Sequence, residues 1–244
     1  MIYLKSVRLD NLPDPSHYFS SLPAVRSLEG SGLEFSSEVT FFTGDNGTGK
    51  STLIEAIAVA LGFNAEGGSR NFIFSTKDTH SELYKYITLS RATARPRDGW
   101  FLRAESFYNV ASEIEALDEI PAASPEIIES YGGRSMHEMS HGESFMTLVL
   151  ERFSGRGLYI LDEPESALSP TRQLALLARM KMLCNKQSQF IIATHSPILL
   201  AYPGALIYEF DESGARVTSY RQTLSYIIMR RFISDPEAML REIL

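Results

Sequence analysis

An α/β fold with a mixed central sheet, an antiparallel β part and a small helical part is the prediction for this 244-residue chain. Three observations carry it. A glycine-rich run from Gly44 to Gly49 separates the apolar residues 39–43 from a segment with helical apolar spacing. Two further apolar runs, residues 158–161 and 190–193, have the length of buried strands and stop on polar residues. Composition agrees, with 44% hydrophobic and 22% charged residues, enough for one domain with a sizeable core.

The elements follow in order. Residues 2–9 alternate apolar and polar, which predicts a strand and opposes a signal peptide. Residues 10–32 hold Pro13, Pro15, Pro23, Gly30 and Gly32 and read as mostly irregular. Short strands are expected at 33–35 and 39–43. A helix over 50–62 has Leu53, Ile54, Ile57, Ala58 and Leu61 on one face, with Gly62 as its stop. Residues 64–82 read as a loop. Residues 84–91 and 100–107 read as two strands of a hairpin turning at Ala94-Arg95-Pro96-Arg97-Asp98-Gly99. Helix is expected on both sides of Pro121 and Pro125, an irregular approach over 131–141, and a second helix over 142–153. After the strand at 158–161 come a helix over 170–184, a strand over 189–194 and a hairpin of 205–210 with 215–220. The tail, 222–244, is helical with a break at Asp235-Pro236.

Charge and cysteine content exclude some functions. A net charge of -7 opposes broad, charge-driven binding of DNA or RNA, though not a local basic patch. Arg91, Arg95, Arg97 and Arg103 gather around the expected hairpin and read as a solvated tip rather than a nucleic-acid face. The single Cys184 permits no internal disulfide, which fits a reducing, cytoplasmic setting. Its spacing with Leu174, Leu177 and Met180 predicts a buried thiol on an apolar helix face. No apolar run is long enough to span a bilayer, so no membrane insertion is expected and a membrane role would need a partner chain.

The chemistry concentrates in three motifs. Gly44-Asp45-Asn46-Gly47-Thr48-Gly49-Lys50-Ser51, followed by Thr52, matches the phosphate-binding loop G-x-x-x-x-G-K-[ST]. Chance yields about 0.01 such matches in a chain of this length at ordinary residue usage. Without a Cβ the glycines let backbone N–H groups close on an anion at a helix N-terminus. Lys50 adds a point charge for the β- and γ-phosphates, and the Ser51 hydroxyl is a ligand for Mg²⁺. In the second motif, Leu158-Tyr159-Ile160-Leu161-Asp162-Glu163-Pro164, a buried strand ends on two carboxylates. Beside a phosphate loop, Asp162 is placed to hold Mg²⁺ and Glu163 to orient or deprotonate a water. Alone, the pair would equally be a solvated strand end. The third motif is Thr194-His195-Ser196 at the end of another core strand, where His195 can sense a γ-phosphate.

The order of these motifs, with Ser140-His141-Gly142-Glu143-Ser144 before the carboxylate pair and Ser166-Ala167-Leu168-Ser169 after it, resembles the ABC ATPase superfamily. The likeness runs from about residue 2 to residue 220. The Ser-His-Gly-Glu variant and the bare N-terminal strand look more like soluble ATPases of the SMC and RecF-like group, and small bacterial predicted ATPases without coiled-coil insertions are similar. The resemblance implies one ABC-type domain over 1–244, with a helical signature subdomain at about 108–155. It further implies ATP with Mg²⁺, hydrolysis, and a head-to-tail homodimer in which Ser140 and Gly142 close the site of the opposite chain. Met139, His141 and Glu143 depart from the usual Leu-Ser-Gly-Gly-Gln pattern. No Q-loop glutamine is evident, and Glu105 or Ser106 stands where it is expected. Tyr18 or Phe19 are aromatics for the adenine, though core aromatics are commoner. Three wider roles remain open: nucleic-acid maintenance or defence, the nucleotide-binding subunit of a transporter, and a nucleotide-gated module with negligible turnover. An unidentified protein partner fits any of them.

Overall fold

The computed structural model describes residues 1–11, 13–69, 81–104 and 139–244. Its frame is a seven-stranded sheet in the order β10-β9-β3-β8-β7-β6-β4. These strands are β3 (Val39–Gly44), β4 (Gly68–Ser69), β6 (Asp98–Arg103), β7 (Gly157–Asp162), β8 (Gln189–Ala193), β9 (Leu206–Asp211) and β10 (Gly214–Thr218). The five from β9 to β6 are parallel, and β10 and β4 add antiparallel edges. A second sheet, β2-β1-β5, is antiparallel and consists of β1 (Leu4–Leu9), β2 (Leu33–Glu34) and β5 (Ile87–Arg91).

Strand alternation divides the core into two layers. Phe42, Ile160 and Ile191 face α2 (Lys50–Ala60) and the small sheet, while Phe41, Tyr159, Leu161 and Ile192 face the opposite side. There they pack against α3 (His141–Arg152), α4 (Pro170–Asn185) and α5 (Pro197–Leu200). With helices on one face and a helix plus a sheet on the other, the central strands need apolar residues at nearly every position. The burial of all residues of β7 and β8 reflects this.

The buried amide of Gln189 joins the two sheets. Its Oε1 accepts the N–H groups of Tyr3 at 2.8 Å and Leu4 at 2.9 Å, and its Nε2 donates to the Leu4 carbonyl at 2.9 Å. One side chain thereby satisfies three backbone groups of the strand β1 entry.

Several expectations need correction. Residues 84–91 and 98–103 form no hairpin: β5 pairs with β1 in the small sheet, and β6 pairs with β7 in the large one. β5 buries Ile87 in the layer under α2, whereas β6 lies within the large sheet and buries residues on both faces, Phe101 in that layer and Trp100 and Leu102 in the other. Arg103 therefore does not sit at a solvated tip. Leu174 is exposed, so the inner face of α4 is Leu176, Met180, Leu183 and Cys184. Residues 10–32 contain a short helix, α1 (Pro23–Arg26), with a 3₁₀ turn before it. The helices expected around Pro121 and Pro125, Met136, and most of the 108–155 subdomain lie outside the described residues. The tail forms α6 (Leu224–Ser234) and α7 (Pro236–Ile243), broken at Asp235-Pro236, with many apolar side chains exposed.

Gln189→Leu keeps the side-chain volume but strands two N–H donors and one carbonyl in the core. Urea unfolding should show a loss of about 3 kcal/mol or more. A change within error would remove Gln189 as the clamp between the sheets.

Candidate functional site

Parallel strands place their carboxyl ends on one edge, and the residues that leave that edge build the site. From β3 the chain passes through Gly44, Gly47 and Gly49, with φ of 121°, 79° and 94°. These lie in the left-handed region that favours glycine. At Gly44 an added Cβ would stand 2.0 Å from the Phe210 carbonyl oxygen, so only glycine lets the loop pass β9. The loop ends on Gly49, the N-cap of α2, and no side chain caps that helix. Its first-turn N–H groups are therefore left for an anion, which is the arrangement a phosphate requires.

Lys50 is buried at the start of α2. Its ammonium donates to the carbonyls of Gly44 at 2.9 Å and Asp45 at 2.7 Å. Burial draws its pKa below the usual range, and Glu163, Asp45 and Asp162 oppose that shift with their charge. Thr48 ties the loop internally, its hydroxyl donating to the Asp45 carbonyl at 2.8 Å. Asn46, Gly47, Ser51 and Thr52 line an open cleft of 230 Å³ together with Tyr18, Leu22 and Glu163. Tyr18 is 66% exposed, whereas Phe19 is buried in the core and stacks on His17. Of the two aromatics, only Tyr18 borders the cleft.

Across the loop, β7 ends in Asp162, and the Ser51 hydroxyl donates to its Oδ1 at 3.1 Å. A hydroxyl and a carboxylate facing one another beside a phosphate loop are the donors Mg²⁺ takes, with phosphate oxygens and water completing its shell. Glu163 follows with φ 49° and ψ 51°, a left-handed conformation unusual outside glycine. Backbone strain of this kind gathers at functional sites. The Glu163 N–H is fixed to the Ala193 carbonyl at 2.9 Å, which ties the end of β7 to the end of β8.

His195 leaves β8 with Nε2 3.9 Å from Glu163 Oε1. That nitrogen is buried without a hydrogen-bond partner among the described residues. Burial, then the Lys50 charge, draws the imidazole below its ordinary pKa, against the pull of Glu163 and Asp45. A neutral ring at pH 7 with a free nitrogen is suited to a phosphate oxygen. The His195 N–H donates to Glu165 Oε1 at 2.5 Å. Burial raises the Glu165 carboxyl above the usual range, and hydrogen bonds from His195 and Thr194 partly offset this.

Sequence reasoning missed three of these positioning groups. Glu165 carried no signal beyond following the carboxylate pair. Gln173 is buried and accepts from the Ser196 hydroxyl at 2.5 Å while donating to the Leu168 carbonyl at 3.0 Å, which links the segment after His195 to residues 166–169. Arg103, read as a surface arginine, pairs with Glu55 at 2.5 Å and with Asp162 at 3.5 Å. Glu105 and Ser106 lie outside the described residues.

The Ser140 segment is near the loop in the fold's logic but is not part of this cleft. Glu143 reaches back to accept from the Ser140 N–H at 3.1 Å and its hydroxyl at 2.9 Å, a reciprocal arrangement that starts α3. Arg172 of α4 pairs with Glu143 at 3.2 Å. Gly142 is buried, and a Cβ there would stand 2.7 Å from the Ala167 carbonyl oxygen. The start of α3 thus packs directly on Ala167. Among the described residues, Ser140 and Gly142 do not border the cleft that Lys50, Ser51 and Glu163 line.

Comparison with known proteins places this geometry. A family model described as an AAA domain matches residues 21–124. An uncharacterized ABC transporter ATP-binding protein of Haemophilus influenzae is 32% identical over 80 residues, 32% of this chain. The match spans only 30% of that relative's own length. The structure of cbiO1 from Clostridium perfringens, part of the ABC transporter complex cbiONQ, aligns over 100% of both chains. Its TM-score is 0.52 and its identity 18%. The SMC head domain from Thermotoga maritima aligns over 89% of this chain and 99% of its own, with 18% identity and a TM-score of 0.45. The fold is the one that ABC-type ATPase domains share, and the order of the motifs resembles theirs.

Proposed function

We propose that this single domain binds ATP with Mg²⁺ and hydrolyses it as a soluble, cytoplasmic ATPase that closes head-to-tail on a second copy of itself. One observation carries the reading: Ser51 and Asp162 face each other at 3.1 Å beside the uncapped N-terminus of α2, with Lys50 and Glu163 on the same cleft. Asp45, Asn46, Gly47, Thr48, Gly49 and Thr52 shape the loop around the phosphates. Lys50 leaves its two loop carbonyls for phosphate oxygens. Ser51 and Asp162 hold the metal, which supplies charge neutralisation on the phosphates when bound. Glu163 orients and deprotonates the attacking water, and His195 contacts the γ-phosphate. Tyr18 offers a stacking face for the base.

A second chain completes the site in this reading. Ser140 and the start of α3 do not border the chain's own cleft, and the trans role assigns them to the cleft of the second copy. A neighbouring cleft joins Asp45, Asn46 and His195 to the exposed apolar Leu224 and Ile228. A second copy would cover this surface. One wider role for such an ATPase is nucleic-acid maintenance or defence, with DNA or RNA as its partner. A second reading, the nucleotide-binding subunit of a transporter, draws on two of the similar proteins, the ABC transporter ATP-binding protein of Haemophilus influenzae and cbiO1 of the ABC transporter complex cbiONQ. Among the described residues, no helix is long and apolar enough to cross a membrane, so that reading needs a separate membrane-spanning partner. Co-purification with such a protein would favour it. Salt-sensitive DNA binding that strengthens with ATP would favour the first.

Calorimetric titration with Mg²⁺-ATP should give a heat of association that Lys50→Ala abolishes, and steady-state phosphate release should accompany it. No heat with the wild type ends the proposal, and binding without phosphate release reduces the chain to a nucleotide-gated module.

Glu163→Gln should lower turnover by about 10²- to 10⁴-fold while holding ATP-bound chains together. Light scattering with ATP and Mg²⁺ should then report a dimer. A monomer under those conditions removes the trans site.

His195 also makes a prediction about stability. Its folded pKa is depressed, so the folded state resists protonation more than the unfolded state does. Its contribution is present above the ordinary histidine value of about 6.5 and is lost as pH falls through the lower folded value. His195→Gln should flatten the decline in melting temperature between about pH 7 and pH 5. An unchanged pH profile would place the imidazole outside that buried environment.

A further inference from the structure

We propose that Arg103 is a positioning residue that aims the Asp162 carboxylate at the metal, an inference that rests on the nucleotide-site reading above. Arg103 is the last residue of β6 and lies in register with Asp162, the last residue of β7. The two oxygens of Asp162 have different neighbours. Oδ1 accepts the Ser51 hydroxyl at 3.1 Å, and Oδ2 lies 3.5 Å from Arg103 Nε. Arg103 Nε makes no hydrogen bond among the described residues, so the contact acts through charge: it favours the carboxylate orientation that keeps Oδ2 at the guanidinium and Oδ1 at Ser51, the position a metal shares with it.

The guanidinium is itself anchored. Its Nη1 meets Glu55 Oε2 at 2.5 Å, and Glu55 Oε1 accepts the Ser81 N–H at 3.0 Å. Glu55 stands four residues after Ser51 on α2, which places both on one helix face. Ser51, Asp162, Arg103 and Glu55 therefore form a chain of contacts from the phosphate-loop helix, across β7 and β6, and back to the same helix. All three charged members are largely shielded, with side chains 21%, 11% and 6% exposed for Arg103, Glu55 and Asp162.

A cation beside a metal site would ordinarily repel the metal. Here Glu55 lies closer to Arg103 than Asp162 does, so the pair is close to neutral and its remaining effect is orientation. Groups that orient a metal ligand from behind typically alter metal affinity about 10- to 100-fold when removed. A simple strut between β6 and α2 would change stability without that effect.

The test uses the full chain with a non-hydrolysable ATP analogue and Mn²⁺ as the spectroscopic probe. Arg103→Met should weaken Mn²⁺ binding to the analogue-loaded protein by about tenfold or more, read by electron paramagnetic resonance. Affinity for the analogue in EDTA should stay near the wild-type value. Arg103→Lys keeps the charge but not the planar fork, and should lose a smaller share of Mn²⁺ affinity. It also serves if the Met variant does not fold. Wild-type Mn²⁺ affinity in a folded variant, whatever its melting temperature, overturns the assignment. If the wild type itself fails to bind the analogue in EDTA and with Mn²⁺, the nucleotide-site reading falls and takes this inference with it.

Discussion

The parallel pairing of β3, β8, β7 and β6 constrains everything else in the molecule. Strands running the same way must deliver their last residues to the same edge, so Gly44, Ala193, Asp162 and Arg103 arrive side by side. Their buried bodies leave little freedom. Each strand is held by neighbours on both sides and by apolar layers on both faces, and a one-residue slip would turn core residues into the wrong layer. The site inherits its precision from this packing rather than from its own contacts.

Charge at that edge is dense, with carboxylates outnumbering cations. Lys50 and Arg103 stand against Asp162, Glu163, Glu55 and Glu165 within a few residues of the strand ends. Burial works against Lys50 and Glu165, lowering the pKa of the first and raising that of the second. The cluster holds because most members have a partner: Lys50 its loop carbonyls, Arg103 two carboxylates, and Glu165 the His195 N–H. Glu163 differs. It is partly exposed, in a left-handed backbone conformation, and faces a histidine whose buried Nε2 has no hydrogen bond among the described residues. Least satisfied by the chain itself, these two groups are the ones the proposed chemistry assigns to water and the γ-phosphate.

The N-terminal end of α4 gathers the elements that a dimer would have to coordinate. Arg172 holds Glu143 at the start of α3, and the adjacent Gln173 bonds both the Leu168 carbonyl and the Ser196 hydroxyl. Gly142 brings α3 so close to Ala167 that no side chain fits between them. Movement of the signature helix would therefore be felt at residues 166–169 and at the segment carrying His195. This is a contiguous set of contacts through which the two halves of the proposed composite site can influence each other.

Local sequence determined the glycine loop, the buried strands and the helix that follows the loop. Each depends on short-range rules: positive φ for glycine, apolar runs for two-sided burial, and helical spacing for α2. The residues of the proposed nucleotide site, Lys50, Ser51, Asp162, Glu163 and His195, could be named from the sequence for the same reason, since strand ends and loop ends mark the sheet edge. Pairing decided the rest. Nothing local distinguishes two strands of a hairpin from two strands in different sheets, and that choice moved Arg103 from a solvated turn to the side of Asp162. Gln189, Glu165 and Gln173 were equally invisible, because a polar residue at a strand end, in a turn or on a helix acquires meaning only from the backbone groups folded against it. Residues distant in the chain meet only after the layers close, and only then does the cost of burying an unpaired polar group select what each must touch.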